Sequence, residues 1–136
     1  MRTDLHELFT HLYDGDLDAD MLAFRDAYNA GDVDALMEIY MPDAVLLMPQ
    51  SKEFSGQDAI RKQYTDAFAN GISNLRLNMR EVKQTGPASA VEVSETLIDA
   101  GERTIHGRHL HLWIQTEDGW KLARDMYHVL AVRDAE

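Results

Sequence analysis

The chain is 136 residues long, the size of one domain with a single buried core, and its 45% hydrophobic and 27% charged residues are the balance of a folded globule. Its formal net charge of -11, from 13 Lys and Arg against 24 Asp and Glu, repels phosphate backbones and anionic bilayers, which argues against nucleic acid or a membrane as partner. With no cysteine, disulfides, thiolate metal sites and a Cys nucleophile are excluded.

The first residues, MRTDLHELFTHLYDGD, carry neither an apolar signal core nor a small-residue cleavage site, and no apolar run approaches membrane-spanning length, so a cytoplasmic protein is the expectation. The spacing of Leu5, Leu8, Phe9 and Leu12 predicts a helix over about residues 4–13, with Thr3 as N-cap and Gly15 as stop. A second helix, about 19–30, puts Met21, Phe24 and Tyr28 on one face, with Asp18 as cap and Gly31 as stop. Asp32 caps a third, with Val33, Leu36, Met37 and Tyr40 on one stripe and Pro42 as its end. Residues 44–48 read as a short buried strand, 49–52 as a turn, and Glu53-Phe54 as a brief partner strand. A helix over 57–70 carries Ile60, Tyr64, Ala67 and Phe68, with Asp58 near its positive end and Gly71 as its stop.

Beyond Gly71 the period changes to two. Leu75, Leu77 and Met79 alternate with Arg76, Asn78 and Arg80. After the Gly86-Pro87 turn, Val91, Val93, Glu95 and Leu97 alternate with Glu92, Ser94 and Thr96. A strand over about 103–115 puts His109, His111 and Trp113 on one face and Leu110, Leu112 and Ile114 on the other. A turn at 116–119 leads to the last strand, 120–132, in which Trp120 is expected to be buried. Helices first and strands after argue an α+β domain. The second apolar row, Leu110, Leu112 and Ile114, joined by Leu122 and Met126 if the register allows, exceeds what a monomer exposes and predicts a homodimer on that outer sheet face.

Three segments carry a family resemblance: AYNAGDVDALMEIYMPDAVLLMP, FSGQDAIRKQY and GRHLHLWIQTEDGWKLARDMYH, in that order over about residues 18–130. They resemble the SnoaL-like domains of the nuclear-transport-factor-2-like superfamily. The resemblance implies a single SnoaL-like domain over 1–136, with 1–16 as an N-terminal helical extension. It implies a cone of strongly bent antiparallel sheet wrapped around helices, whose mouth admits small molecules in some members. Members include ketosteroid isomerases, polyketide cyclases, dehydratases and epoxide-opening enzymes. Others are association modules without catalysis, so the fold decides little about activity. The ketosteroid isomerase mechanism does not carry over. Where those enzymes place their base, before Pro49, stands Met48; their oxyanion tyrosine falls on Phe24 and their second donor on His109. A thioether cannot take a proton from carbon, and a phenyl ring cannot donate to an enolate oxygen.

The polar residues on the expected cavity face are Glu95, His109, His111, Asp125 and Tyr127. A histidine beside a carboxylate serves as acid or base near neutral pH. Asp125, in the ARDMY segment where some relatives carry an important acid, or Glu95 is the expected base, with His111 and Tyr127 as proton donors. Glu95 alternatively orients the others. The competing reading is that these groups satisfy one another, with Arg76, Arg80, Arg108 and Arg124 as plain counter-charges. Phe24, Tyr28, Tyr40, Met48, Tyr64, Phe68 and Trp113 are expected to line the pocket or fill the core around it, and with His109 they are the candidate ligand contacts.

His109-x-His111 could hold a metal, with His106 and His128 as further ligands, but the next carboxylate, Glu117, lies in the hairpin turn, so neither a metal nor a cofactor is assigned. Two readings stand: a cofactor-free isomerase, cyclase or lyase acting on a small apolar molecule, and a binding or dimerisation module without turnover. Ionisable groups converging on one pocket would favour the first.

Overall fold

The computed structural model describes residues 17–134, and the helix expected over 4–13 lies outside them. The first described helix, α1, is Leu17–Ala30. It stops at Gly31, whose φ of 65° is a conformation that L side chains resist. Asp32 then caps α2, Val33–Ile39, by accepting a hydrogen bond from the Ala35 N–H at 3.0 Å. α2 ends at Ile39 rather than at Pro42, because Tyr40 is already extended (φ -84°, ψ 141°) and opens β1, Tyr40–Met48. Pro42 falls between Tyr40 and Val45, where the register of β1 with its neighbour is interrupted, so its missing N–H takes no rung from that ladder.

β2, Lys52–Ser55, returns antiparallel beside β1 and is followed by α3, Gln57–Ala69. Four long strands complete the chain: β3 (Ile72–Gly86), β4 (Ser89–Ala100), β5 (Arg103–Thr116) and β6 (Gly119–Asp134). The α+β expectation holds. The sheet has six strands in the order β2-β1-β6-β5-β4-β3, and it is mixed rather than wholly antiparallel, since β1 runs parallel to β6. No hairpin joins those two strands, so nothing obliges them to be antiparallel. Register shifts in β3 and β6 mark bulges, where long strands bend. The helices pack on the sheet, α1 against β3 and α3 against β1, β2 and β3. Asn29 clips α1 to β3 by accepting from the Leu75 N–H at 2.6 Å and donating to its carbonyl at 3.0 Å. Phe24, Tyr28, Leu36, Tyr40, Leu46, Ile60, Tyr64, Trp113 and Trp120 lie in the core between the layers, Trp120 at 3% exposure as its place after the turn implies.

Strand phase decides which side chains meet the helices. On β5 the inward row is His109, His111 and Trp113, all buried. On β4 it is Ala90, Glu92, Ser94, Thr96 and Ile98, also all buried. Glu95 as a cavity residue is therefore corrected. Residues directly opposite on paired strands share a face, and Glu92 stands opposite His111 and Ser94 opposite His109, whereas Glu95 stands opposite Arg108. Glu95 faces outward, with Arg80 at 3.0 Å, His106 at 3.5 Å and Arg108 at 3.7 Å from its carboxylate.

A bulge resets the phase of β6. Trp113 pairs with Leu122 and Leu112 with Arg124, which leaves Ala123 as an extra residue. Trp120 and Leu122 point inward before it, and Asp125 and Tyr127 after it. Leu122, at 0% exposure, thus belongs to the core and not to the outer apolar row. Met126 stays outside at 51%, beside exposed Leu110 and half-buried Leu112 and Ile114.

Gly107 on β5 gives Tyr127 its room. A Cβ built on it would lie 2.6 Å from Tyr127 Cζ and would also meet the phenolic oxygen. Gly107→Ala should therefore displace the ring and cost about 1–3 kcal/mol in urea unfolding, the usual penalty of overpacking. In a Tyr127→Ala background the same substitution should cost less than about 0.5 kcal/mol. Equal costs in both backgrounds would show that Tyr127 is not the obstacle.

Candidate functional site

The β4–β5 pairing brings a buried carboxylate under two histidines. Glu92, 1% exposed, has His111 Nδ1 at 2.9 Å and Trp113 Nε1 at 3.1 Å from Oε1, and His109 Nε2 at 2.5 Å from Oε2, which also accepts from the Ser94 hydroxyl. Four donors fill the four lone-pair positions of a carboxylate. The two imidazoles stack with centroids 3.5 Å apart and planes 7° apart. Phe24 meets the His111 ring edge-on at 5.3 Å.

The row continues onto β6. His111 Nε2 lies 3.1 Å from Asp125 Oδ1, although its N–H is not aligned on that oxygen well enough to make a hydrogen bond. Asp125 Oδ2 accepts from the Tyr40 hydroxyl at 2.6 Å. Because Tyr40 spends its proton there, the 2.6 Å contact between the Tyr40 and Tyr64 hydroxyls has Tyr64 as donor. A continuous buried chain results, from Tyr64 through Tyr40, Asp125 and His111 to Glu92.

Its charges support one another. Burial alone would raise the Glu92 carboxyl, but the His109 and His111 imidazoles hold it well below the usual carboxylate range. Asp125 is likewise lowered against its burial, chiefly by the His111 charge and hydrogen-bonding partners including Tyr40. Burial would lower His111, yet Asp125 and Glu92 push it up to about 10. At neutral pH the row is carboxylate, imidazolium, carboxylate. Burial raises the Tyr40, Tyr64 and Tyr127 phenols, so all three stay neutral donors.

Beside the Asp125 end of this row opens a cavity of about 180 Å³. Phe24 and Tyr28 of α1, Tyr64 of α3, Met48 of β1, His109 and His111 of β5, and Asp125 and Tyr127 of β6 all line it, with Leu46, Ile72, Leu75, Thr96, Ile98 and Ile105 among the rest. Of the candidate ligand contacts, Tyr40, Phe68 and Trp113 are not in its wall. Tyr40 lies behind it on Asp125, Trp113 is spent on Glu92, and Phe68 packs on Tyr28 at 5.2 Å. Glu92, Ser94 and Thr96 are the residues that sequence reasoning missed. The signal for them was Ala90 and Ile98, apolar residues of the same strand phase at either end of that polar row.

Glu92, His109 and His111 also offer three ligand atoms within 4.8 Å of one another, a donor set of the kind zinc takes. Each of these atoms is already committed to another member of the trio, and the space beside them is too small for a water molecule. The trio reads as a self-satisfied network rather than a metal centre.

The ionised row makes stability depend on pH in a defined sense. Above about pH 6.5 the unfolded chain has lost the proton that folded His111 keeps, so stability should fall between about pH 7 and 10, by up to about 1.4 kcal/mol per pH unit from this group. The two depressed carboxylates act oppositely, contributing above about pH 4.5 and losing that contribution on acidification. Imidazole NMR should show His111 still protonated at about pH 8, and Asp125→Asn should move its titration down by at least about one unit. A wild-type titration near the ordinary histidine value would rule out the charged row.

The chain matches the profile of the SnoaL-like domain over residues 21–134. A ketosteroid isomerase-like protein from Erwinia carotovora atroseptica SCRI1043 superposes with a TM-score of 0.74 at 22% identity, over 88% of this chain and 99% of that one. An NTF-2 like protein of unknown function from Shewanella oneidensis MR-1 gives 0.73 at 22% identity, over 82% and 95% of the two chains. A candidate scytalone dehydratase from Novosphingobium aromaticivorans DSM 12444 gives 0.75 at 14% identity, over 88% and 85%. No curated protein matches the chain. At these identities the solved structures bear on the fold alone, which is the NTF2-like, cystatin-like α+β arrangement. The profile spans most of the sequence, and the chain belongs to the family of SnoaL-like domains.

Proposed function

We propose that this domain is a cofactor-independent acid–base enzyme of the isomerase, cyclase or lyase kind, acting on a small apolar molecule held in the cavity. The observation that carries the reading is the ionised Asp125–His111 pair in the wall of an otherwise apolar chamber. Acid–base catalysis needs titratable groups perturbed by burial and by a charge partner in a cleft, and this pair has both. Similarity to a candidate scytalone dehydratase agrees with a lyase.

The roles follow from the geometry. Asp125 takes a proton from a substrate carbon. His111 gives its Nε2 proton to the substrate oxygen or departing hydroxyl, and Tyr127, in the wall of the same cavity, is the second proton donor. Passage of the new proton from Asp125 to His111 Nε2, 3.1 Å away, then restores both groups. Glu92 keeps the imidazole oriented, so it is a positioning residue. Glu95, on the outer face, has no part in this scheme.

A second copy of the chain is the occupant we propose for the outer sheet face. Exposed Leu110 and Met126, with Leu112 and Ile114 beside them, form an apolar surface on β5 and β6. Four strands spaced about 4.8 Å apart and some ten residues long offer roughly 600 Å² before side-chain relief. That is of the order of the ~800 Å² each partner buries in a standard interface. Sedimentation should give twice the mass of one chain, and Leu112→Glu should give folded monomers; a wild-type monomer at micromolar concentration would refute the pairing.

The catalytic reading is tested by proton exchange. Ring-sized cyclic ketones incubated with the protein in deuterium oxide should exchange their α-hydrogens faster than in buffer, as followed by NMR. Asp125→Asn should slow the exchange by about 10²- to 10⁴-fold while the fold is retained. Exchange that survives this substitution removes Asp125 from the mechanism, and none above buffer with any ring-sized ketone favours a binding module without turnover.

A further inference from the structure

Most polar groups in the cavity wall are already committed. His109 uses Nε2 and His111 uses Nδ1 on Glu92, Asp125 accepts from Tyr40, and the Tyr64 hydroxyl donates to Tyr40. Tyr28 differs. It lines the cavity at 8% exposure, yet its hydroxyl hydrogen-bonds to no described residue. Unlike the Thr96 hydroxyl, which protein encloses, it keeps accessible surface. Buried polar groups are normally paired, so a hydroxyl left open on a cavity calls for a reason. Three rings fix its direction before anything binds: Phe68, Tyr64 and Phe24 pack on the Tyr28 ring with centroids 5.2, 6.0 and 6.3 Å away. Burial first, then Tyr127 and Asp125 of the same wall, raise the phenol above its ordinary value, so it keeps a proton to donate. Gln63 of α3 also lines the cavity without a hydrogen bond, but it is only half-buried and water serves its amide.

We propose that Tyr28 selects the ligand of this cavity by donating a hydrogen bond to a carbonyl oxygen, so that the preferred ligand is a neutral, ring-sized ketone. A neutral phenol donates through its O–H, and the wall already has an acceptor in the Asp125 carboxylate. An anionic ligand is disfavoured, because two carboxylates and one imidazolium leave the buried row with a net negative charge. A carboxylate base removes a proton from carbon only where a neighbour such as a carbonyl takes up the charge, which narrows the acceptor to that group. Leu46, Leu75, Ile98 and Ile105 line the cavity for the hydrocarbon part. The volume of about 180 Å³ agrees, since a dry cavity of about 150 Å³ takes up a benzene. Tyr28 is not the counterpart of the ketosteroid isomerase tyrosine, whose place falls on Phe24 earlier in α1.

This inference rests on the reading of the cavity as the substrate site, and binding tests it apart from turnover. The probes are cyclohexanone and methylenecyclohexane, rings of the same shape that differ in an oxygen against a methylene. NMR titration should show Tyr28→Phe weakening cyclohexanone about 3- to 10-fold and leaving methylenecyclohexane within about 2-fold. In infrared difference spectra the isotope-labelled carbonyl of bound cyclohexanone should absorb at lower wavenumber in the wild type, where it is hydrogen-bonded, than in Tyr28→Phe. The variant should unfold at the wild-type temperature, because the hydroxyl it deletes has no partner in the protein. Gln63→Leu should leave the ratio of the two affinities within about 2-fold of the wild-type ratio. Asp125→Asn should abolish exchange but keep that ratio, so failure of recognition and failure of turnover are read separately. An unchanged ratio or carbonyl band in Tyr28→Phe, a ratio that responds to Gln63→Leu instead, no binding of cyclohexanone up to its solubility, or a lower unfolding temperature with both affinities reduced alike would overturn the assignment.

Discussion

An ionised carboxylate buried to 1% exposure keeps its charge only while donors replace the water it has lost, and Glu92 imposes that condition on everything around it. It uses one nitrogen of His109 and one of His111, with the Trp113 indole and the Ser94 hydroxyl. Both rings are thereby fixed in direction and stack on each other. Having given Nδ1 to Glu92, His111 has only Nε2 left, and that nitrogen faces Asp125, which lines the cavity with it. Removing one partner from such a set costs about 3–5 kcal/mol, because the remaining charge is left uncompensated. The chemistry of the open end is thus set by a group that does not reach it.

The three described helices were legible because their signals are local, although Pro42 put the end of α2 three residues too late. Gly31, Asp32 and Gly71 terminate or cap by backbone conformation and side-chain reach, and they do so whatever lies across the core. The inward row of β5 was legible too. The phase of β4 was not. Alternation yields two rows without saying which faces in, and the hydrophobic rule selects Val91, Val93 and Leu97. Tertiary chemistry overrides that rule here. Two buried histidines require an acceptor directly opposite, and Glu92 and Ser94 occupy those positions. Which of two carboxylates three residues apart belongs to the site was therefore decided by long-range pairing.

Glu92 and Glu95 show how far environment outweighs residue type. Glu95 is half-buried among Arg80, His106 and Arg108, a surface cluster of the sort that contributes about 0–1 kcal/mol. Glu92 can be neither hydrated nor left unpaired. The two faces of the sheet accordingly play different parts: the inner one carries a charged, hydrogen-bonded spine beside an apolar chamber, and the outer one carries apolar side chains interspersed with exchangeable ion pairs.

The extra residue at Ala123 works as a phase shifter. Upstream of it the even-numbered side chains of β6 belong to the interior, and immediately downstream the odd-numbered ones do. Trp120 and Leu122 can therefore anchor the hairpin in the core while Asp125 and Tyr127, three residues on, still reach the chamber. Side-chain correspondence between relatives is consequently not a matter of counting along this strand. Aligned without a gap at Ala123 to a strand that lacks the extra residue, β6 exchanges the acid in the cavity wall for an arginine or a methionine that meets the outside.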